Sequence, residues 1–333
     1  MEFFPTAWAI IIAFCIIMYV ILDGFTLGTG LCLPFIKDRR HRDIMFSAIL
    51  PTWDGNQTWL VLAGASLYGA FPVAFSIMLP TLYFPLILMV VALLFRGVVF
   101  EFRLKATENE AEKWETLFFV ASFIVVFIQG MLLGTYVIGF DAKITDLVIP
   151  AYHWLSPFSL FTGVALVFGY TLLGSTRLIM KTERELQDCF YRIAIIALIT
   201  VGVCMAIVSL WMPFLSNIIK EKWFLSDNTR YLAILPLLST VAFFWCLTAL
   251  FFKNEKVPFY LATALFLFGY AGFGYSVFPY IVPHQLTILQ AAAPEGSLKF
   301  MFIGACVMLP VLLFYTGYSY HIFRGKVKDV ISY

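Results

Sequence analysis

Uninterrupted apolar runs dominate this chain: positions 7–22, 117–133 and 193–210 hold no charged side chain. A helix in a soluble protein shows polar residues every third or fourth position along its solvent face, and these runs do not. About 20 apolar residues at 1.5 Å rise cross the roughly 30 Å hydrocarbon core of a bilayer. Composition agrees, with 62% apolar and 13% charged residues, where soluble domains carry roughly half and about 25%. The chain is therefore expected to be an all-α integral membrane protein.

Polar breaks divide it into about nine spans, at roughly 5–28, 47–70, 77–101, 116–140, 154–178, 191–218, 231–252, 257–281 and 299–322. The loops are short, so 1–333 reads as a single transmembrane domain. The opening Met1-Glu2-Phe3-Phe4 lacks the basic region of a cleavable signal, and the first run reads as a permanent span. Basic residues set the orientation. With the N-terminus outside, sixteen fall in inner loops (among them Lys37, Arg103, Arg177 and Lys253) and five in outer loops (Lys143, Lys220, Lys222, Arg230 and Lys299). That predicts a periplasmic N-terminus, a cytoplasmic C-terminus and an odd number of spans. Small residues four apart, Gly24 with Gly28 and Gly130 with Gly134, predict close helix packing.

Ionisable residues inside spans cost a few kcal/mol on insertion scales, so each is a candidate functional residue. Four stand out: Asp23, Asp54, Arg96 and Glu101. On the expected boundaries all four fall in one layer, within roughly 10 Å of the cytoplasmic surface. Asp54 lies in Trp53-Asp54-Gly55-Asn56-Gln57-Thr58-Trp59, where Asp54, Gln57 and Thr58 share a helix face. A buried network of Asp23, Asp54 and Arg96 that pins helices together is one reading. An acidic layer that admits protons is another, and an ion or substrate site in a secondary transporter a third.

Haem requires axial His, Met, Cys or Tyr ligands directed into a bundle. The four histidines, His41, His153, His284 and His321, lie at loops or span ends, and the six cysteines have no ligand spacing. Met205 and Met212 sit in apolar runs, where packing is the ordinary role. No phosphate-binding loop, nucleophile motif or nucleic-acid patch is present in the sequence. The chain is expected to ligate no cofactor and to hold no complete active site.

Leu22-Asp23-Gly24-Phe25-Thr26-Leu27-Gly28-Thr29-Gly30 resembles the first-helix signature of subunit II of the cytochrome bd ubiquinol oxidases. The motif around Trp53 and Asp54 is similar to that family's second helix, and Leu94-Phe95-Arg96-Gly97-Val98-Val99-Phe100-Glu101-Phe102-Arg103 to the end of its third. Phe278-Pro279-Tyr280-Ile281-Val282-Pro283 resembles a late outer segment. The resemblance implies two four-helix bundles plus one peripheral helix in a bacterial inner membrane. It implies a haem-bearing subunit I with haems b558, b595 and d, and a complex that oxidises quinol, reduces dioxygen to water and draws protons from the cytoplasm. A small single-span accessory subunit and a structural quinone are further features of the family. By motif, Asp54 and Glu101 match its proton-path positions, with Asp23 and Arg96 beside them and Trp53, Thr26, Asn56, Gln57 and Thr58 in support. Family members commonly carry a second Asp where this chain has Thr26, which can hydrogen-bond but does not titrate. That change and the shorter length point towards the cyanide-insensitive branch.

Overall fold

The computed structural model describes residues 2–140, 154–215, 217–225 and 232–327. Its long elements are α1 (Phe3–Cys32), α2 (Arg39–Ile49), α3 (Trp53–Ala70), α4 (Pro72–Thr81), α5 (Tyr83–Lys105), α6 (Glu108–Ile138), α7 (Pro157–Lys181) and α8 (Arg184–Leu215). They continue as α9 (Ile234–Phe251), α10 (Val257–Val277), a hairpin of β1 (Tyr280–Val282) and β2 (Leu286–Thr287), and α11 (Glu295–Ile322). Eight of the described helices are long and apolar enough to cross a membrane, namely α1 and α5–α11. The protein is an all-α membrane protein. Expected residues Lys143, His153, Arg230 and Lys328 lie outside the described residues.

Local chemistry explains most boundaries. Asp38 caps α2 by accepting from the His41 backbone N–H at 2.9 Å. Thr107 and Glu110 close a capping box at the start of α6. Ser156 caps α7, with Pro157 at its first position. The tight α7–α8 and α9–α10 turns place Arg184 and Lys253 in the left-handed region.

Three expectations change. The span expected at 47–70 is two helices. Pro51 lacks a backbone N–H, and the chain breaks at 50–52 between α2 and α3. The amphipathic α2 buries Met45, Phe46 and Ile49 and leaves Arg39 and Arg40 exposed. The span expected at 77–101 starts inside α4 and breaks at Leu82, so α5 begins at Tyr83 and runs on to Lys105. The first helix continues through Gly28 and Gly30 to Cys32. Glycine weakens an isolated helix, but here the bare backbone is where neighbours touch.

The centre of the molecule is α1, which packs on α3, α6 and α7. A methyl group on Gly28 would stand 2.7 Å from the Tyr170 carbonyl carbon, and one on Gly134 2.7 Å from the Ser159 Cα. Both expected small-residue pairs therefore mark contacts with α7. Helix α5 leans on α6, α8 on α7, and α9 on α10, while α11 rests on α1 and α3 with little of its surface buried. One apolar core fills the half near the α1 and α7 C-termini, around Phe25, Phe118, Leu173 and Phe190. A second, around Trp8, Phe71, Phe140 and Val282, is closed off by the hairpin.

Candidate functional site

Asp23 and Arg96 each stand nine residues before the end of their helices, α1 and α5, which puts them about 14 Å in from those ends. The expected depth for both was shallower, because both helices are longer than the sequence suggested. The two residues form a bidentate ion pair. Arg96 Nη1 donates to Asp23 Oδ2 at 2.8 Å and Nη2 to Oδ1 at 2.6 Å, with both side chains fully buried. Nη2 also donates to Thr26 Oγ1 at 3.0 Å, and the Thr26 hydroxyl lies against the Asp23 carboxylate. Charge, fork geometry and a neutral hydroxyl match one another.

A second polar group flanks this pair. Tyr170 donates its hydroxyl to Gln129 Oε1 at 2.9 Å, and Gln129 Nε2 donates to the Tyr19 hydroxyl at 2.8 Å. Tyr19 precedes Asp23 by one turn, and both tyrosines are close enough to feel its charge. Asn56 ties α3 to the same region, donating to the Leu22 carbonyl at 2.8 Å and accepting from the Tyr320 hydroxyl at 2.9 Å.

Asp54 and Glu101 are placed differently. Asp54 sits in the first turn of α3, where a carboxylate faces the positive end of the helix dipole, and Glu101 sits one turn before the end of α5. Both are exposed, as is Thr58, and Gln57 Nε2 is buried without a hydrogen-bond partner among the described residues. Trp53 joins the two helices by stacking on Phe100, with ring centroids 4.5 Å apart. The four expected residues thus divide into a locked buried pair and two open carboxylates. The three-residue buried network does not include Asp54.

A third cluster was not anticipated. Glu115, almost wholly buried, accepts from Arg42 at 2.7 Å and from Arg103 at 2.6 Å, and Arg103 also reaches Asp43 at 2.6 Å. Arg103 covers the Phe46 ring at 4.1 Å. This network clamps α2 against the ends of α5 and α6. These residues read in the sequence as ordinary loop charges, and only the 12-residue spacing of Arg103 and Glu115 across a short turn hinted at a pair.

Among the described residues no group of His, Cys, Asp and Glu is arranged to hold a metal ion. His41 lies on α2, His284 in the hairpin and His321 in the last turn of α11.

The family model for cytochrome bd terminal oxidase subunit II matches residues 4–323. Cytochrome bd-I ubiquinol oxidase subunit 2 of Escherichia coli K12 is 26% identical, covering 96% of this chain and 94% of the relative. Cytochrome bd ubiquinol oxidase subunit 2 of Bacillus subtilis is 26% identical, with 98% of each chain covered. In fold, the chain is similar to one in the bd oxidase from Geobacillus thermodenitrificans, with a TM-score of 0.79, 11% identity, and 96% and 98% of the two chains covered.

Proposed function

The chain belongs to the cytochrome bd terminal oxidase subunit II family, and we propose that it is the haem-free second subunit of a quinol oxidase that reduces dioxygen to water. Its place is a bacterial inner membrane. It forms a single domain of nine spans with a periplasmic N-terminus and a cytoplasmic C-terminus. The contacts of the start of α3 support that count: Asn56 reaches the Leu22 carbonyl late in α1 and Trp53 stacks on Phe100 late in α5, which suits α3 with α4 running back between a parallel α1 and α5. We read α1, α3, α5 and α6 as one bundle and α7–α10 as the second, joined through the α6–α7 and α1–α7 contacts, with α11 peripheral.

The haems and the quinol site belong to subunit I in this reading, and the redox chemistry is theirs. This chain supports that subunit and shapes the entry of protons. The observation that carries the reading is the exposure of Asp54 and Glu101 on two helices joined by the Trp53–Phe100 stack, with Val61 on α3 and Leu94, Phe95 and Phe102 on α5 exposed as well. A carboxylate turned to hydrocarbon is costly, so this face needs polar cover or water. A seam against subunit I provides both. Asp54 and Glu101 then take protons at the cytoplasmic end and hand them along the seam, while the Asp23–Arg96 pair keeps α1 and α5 in register.

Asp54→Asn and Glu101→Gln test this in the assembled complex, by oxygen consumption and by proton uptake in vesicles. Both variants are expected to assemble with normal haem absorbance and to slow turnover. Unchanged oxygen consumption and unchanged proton uptake in both would falsify the proton role.

A further inference from the structure

Among the described residues Arg177 has no acidic partner. It lies on α7 one turn before Lys181, and its guanidinium faces three rings: Phe25 and Phe259 at 5.2 Å and Tyr320 at 5.6 Å. Phe259 and Tyr320 stand edge-on to Phe25, so α10 and α11 reach α1 from two sides and leave Arg177 in the crevice. Its Nε is buried without a hydrogen-bond partner, while the residue as a whole is partly exposed. Lys181 adds a second charge. Its ammonium donates to the Phe323 carbonyl and is close enough to Arg177 to be repelled by it.

Two acids close to the end of α7 are engaged elsewhere. Lys326 holds Glu255 at 2.8 Å and Glu183 at 3.9 Å, and the same segment is fixed to α7 by the Val327 N–H on the Lys181 carbonyl. Arg177, partly exposed, and the buried Lys181 beside it therefore have only aromatic quadrupoles and a carbonyl as partners among the described residues. Ring faces stabilise a guanidinium by about 0.5–2 kcal/mol each, less than the charge-assisted bonds its N–H groups still lack. The site lies about 6 Å from the end of α7, at headgroup depth. Exposed Tyr260 and Phe323 border it as amphipathic anchors do at a membrane surface.

We propose that Arg177 and Lys181 bind the phosphodiester headgroup of an anionic phospholipid, with its acyl chains along the exposed faces of α10 and α11. The guanidinium fork suits two phosphate oxygens and the ammonium a third contact. Arg177 thereby fastens the thinly packed α11 through the lipid as well as through Tyr320. This inference is independent of the proton role of Asp54 and Glu101.

The test uses the whole complex, purified in detergent, delipidated and titrated with short-chain phosphatidylglycerol, phosphatidylcholine or inorganic phosphate under native mass spectrometry. Wild type should bind phosphatidylglycerol about tenfold more tightly than phosphatidylcholine, and Lys181→Gln and Arg177→Gln should each remove about that factor. Arg177→Lys keeps the charge without the fork and should fall between. Lys181→Gln leaves the aromatic cage intact and so carries the test if Arg177→Gln fails to assemble. Equal phosphatidylglycerol binding by wild type and Lys181→Gln would overturn the proposal. So would inorganic phosphate that displaces the lipid at equal concentration, since the site would then read the anion and not the lipid.

Discussion

Removing Arg96 should be one of the most damaging single changes in this chain, and removing Asp23 with it should restore most of the loss. Arg96→Met leaves a fully buried Asp23 carboxylate with only the Thr26 hydroxyl as a partner. Breaking a buried pair in this way costs about 3–5 kcal/mol, because the remaining charge is desolvated and uncompensated. Asp23→Leu strands the guanidinium in the same way, with one hydrogen bond, to Thr26 at 3.0 Å, remaining of three. The double variant buries two apolar side chains instead and should cost only about 1–2 kcal/mol, mostly from imperfect repacking, since the Thr26 hydroxyl keeps its hydrogen bond to the residue 23 backbone carbonyl at 2.8 Å. The cycle should thus show a coupling of at least about 3 kcal/mol. Denaturant titration of the purified complex, followed by intrinsic fluorescence, measures it. Additivity of the two single effects within about 0.5 kcal/mol would refute the clasp, and the pair would be no more than two independent polar residues.

Gly174→Ala should abolish assembly, since its Cβ would stand 2.6 Å from the Thr29 nitrogen, and Gly64→Ala, with nothing within 4 Å, should leave the melting point unchanged or slightly raised. Expression tests with thermal melts of any complex recovered separate the two. Glu115→Gln should weaken the hold of Arg42 and Arg103 together and free α2, seen as faster cleavage of 36–50 in limited proteolysis at unchanged helix content. Cleavage at the wild-type rate would show that the clamp is not what holds α2. Burial, with Lys222 nearby, holds the His284 imidazole below the usual histidine range. A lowered pKa favours the neutral form, so its contribution is complete above the ordinary value of about 6.5 and is lost as pH falls through it. Hydrogen-exchange protection in 280–287, taken relative to the intrinsic rate at each pH, should fall between about pH 7 and pH 5, and His284→Gln should remove that dependence.

The membrane class, the helix-packing glycines and Asp23 and Arg96 as charges within long apolar helices were legible because each rests on residue type and spacing. Depth was not. It depends on where helices end, and Gly28 and Gly30 look like a stop until α7 and α6 are placed against them. Nor was the division of the four charges legible. Asp23 and Asp54 are alike as isolated acids, and what separates them is that Arg96 reaches α1 but not the outer face of α3. Pro51 was in plain view, yet its effect depended on α2 having a basic face to leave at the surface. Arg177 escaped notice because a basic residue near a span end ordinarily serves orientation, and its lack of an acid is a fact of three dimensions.

Thr26 shows why the clasp is a fixed structure in this chain. Its hydroxyl gives a proton towards Asp23 and takes one from Arg96 Nη2 at 3.0 Å, so one carboxylate, one guanidinium and one neutral group balance in charge. An aspartate at this position would put two carboxylates on one guanidinium. Like charges at such range do not both stay ionised in a buried site, and one would take up a proton near neutral pH. Thr26→Asp should therefore bring a proton into a site whose charges now balance without one. Infrared difference spectra of the assembled complex should gain a protonated-carboxyl band that fades on raising the pH and shifts in deuterium oxide. If no such band appears in an assembled Thr26→Asp complex, the site tolerates two negative charges, water must reach it, and the separation between the sealed pair and the open carboxylates Asp54 and Glu101 fails.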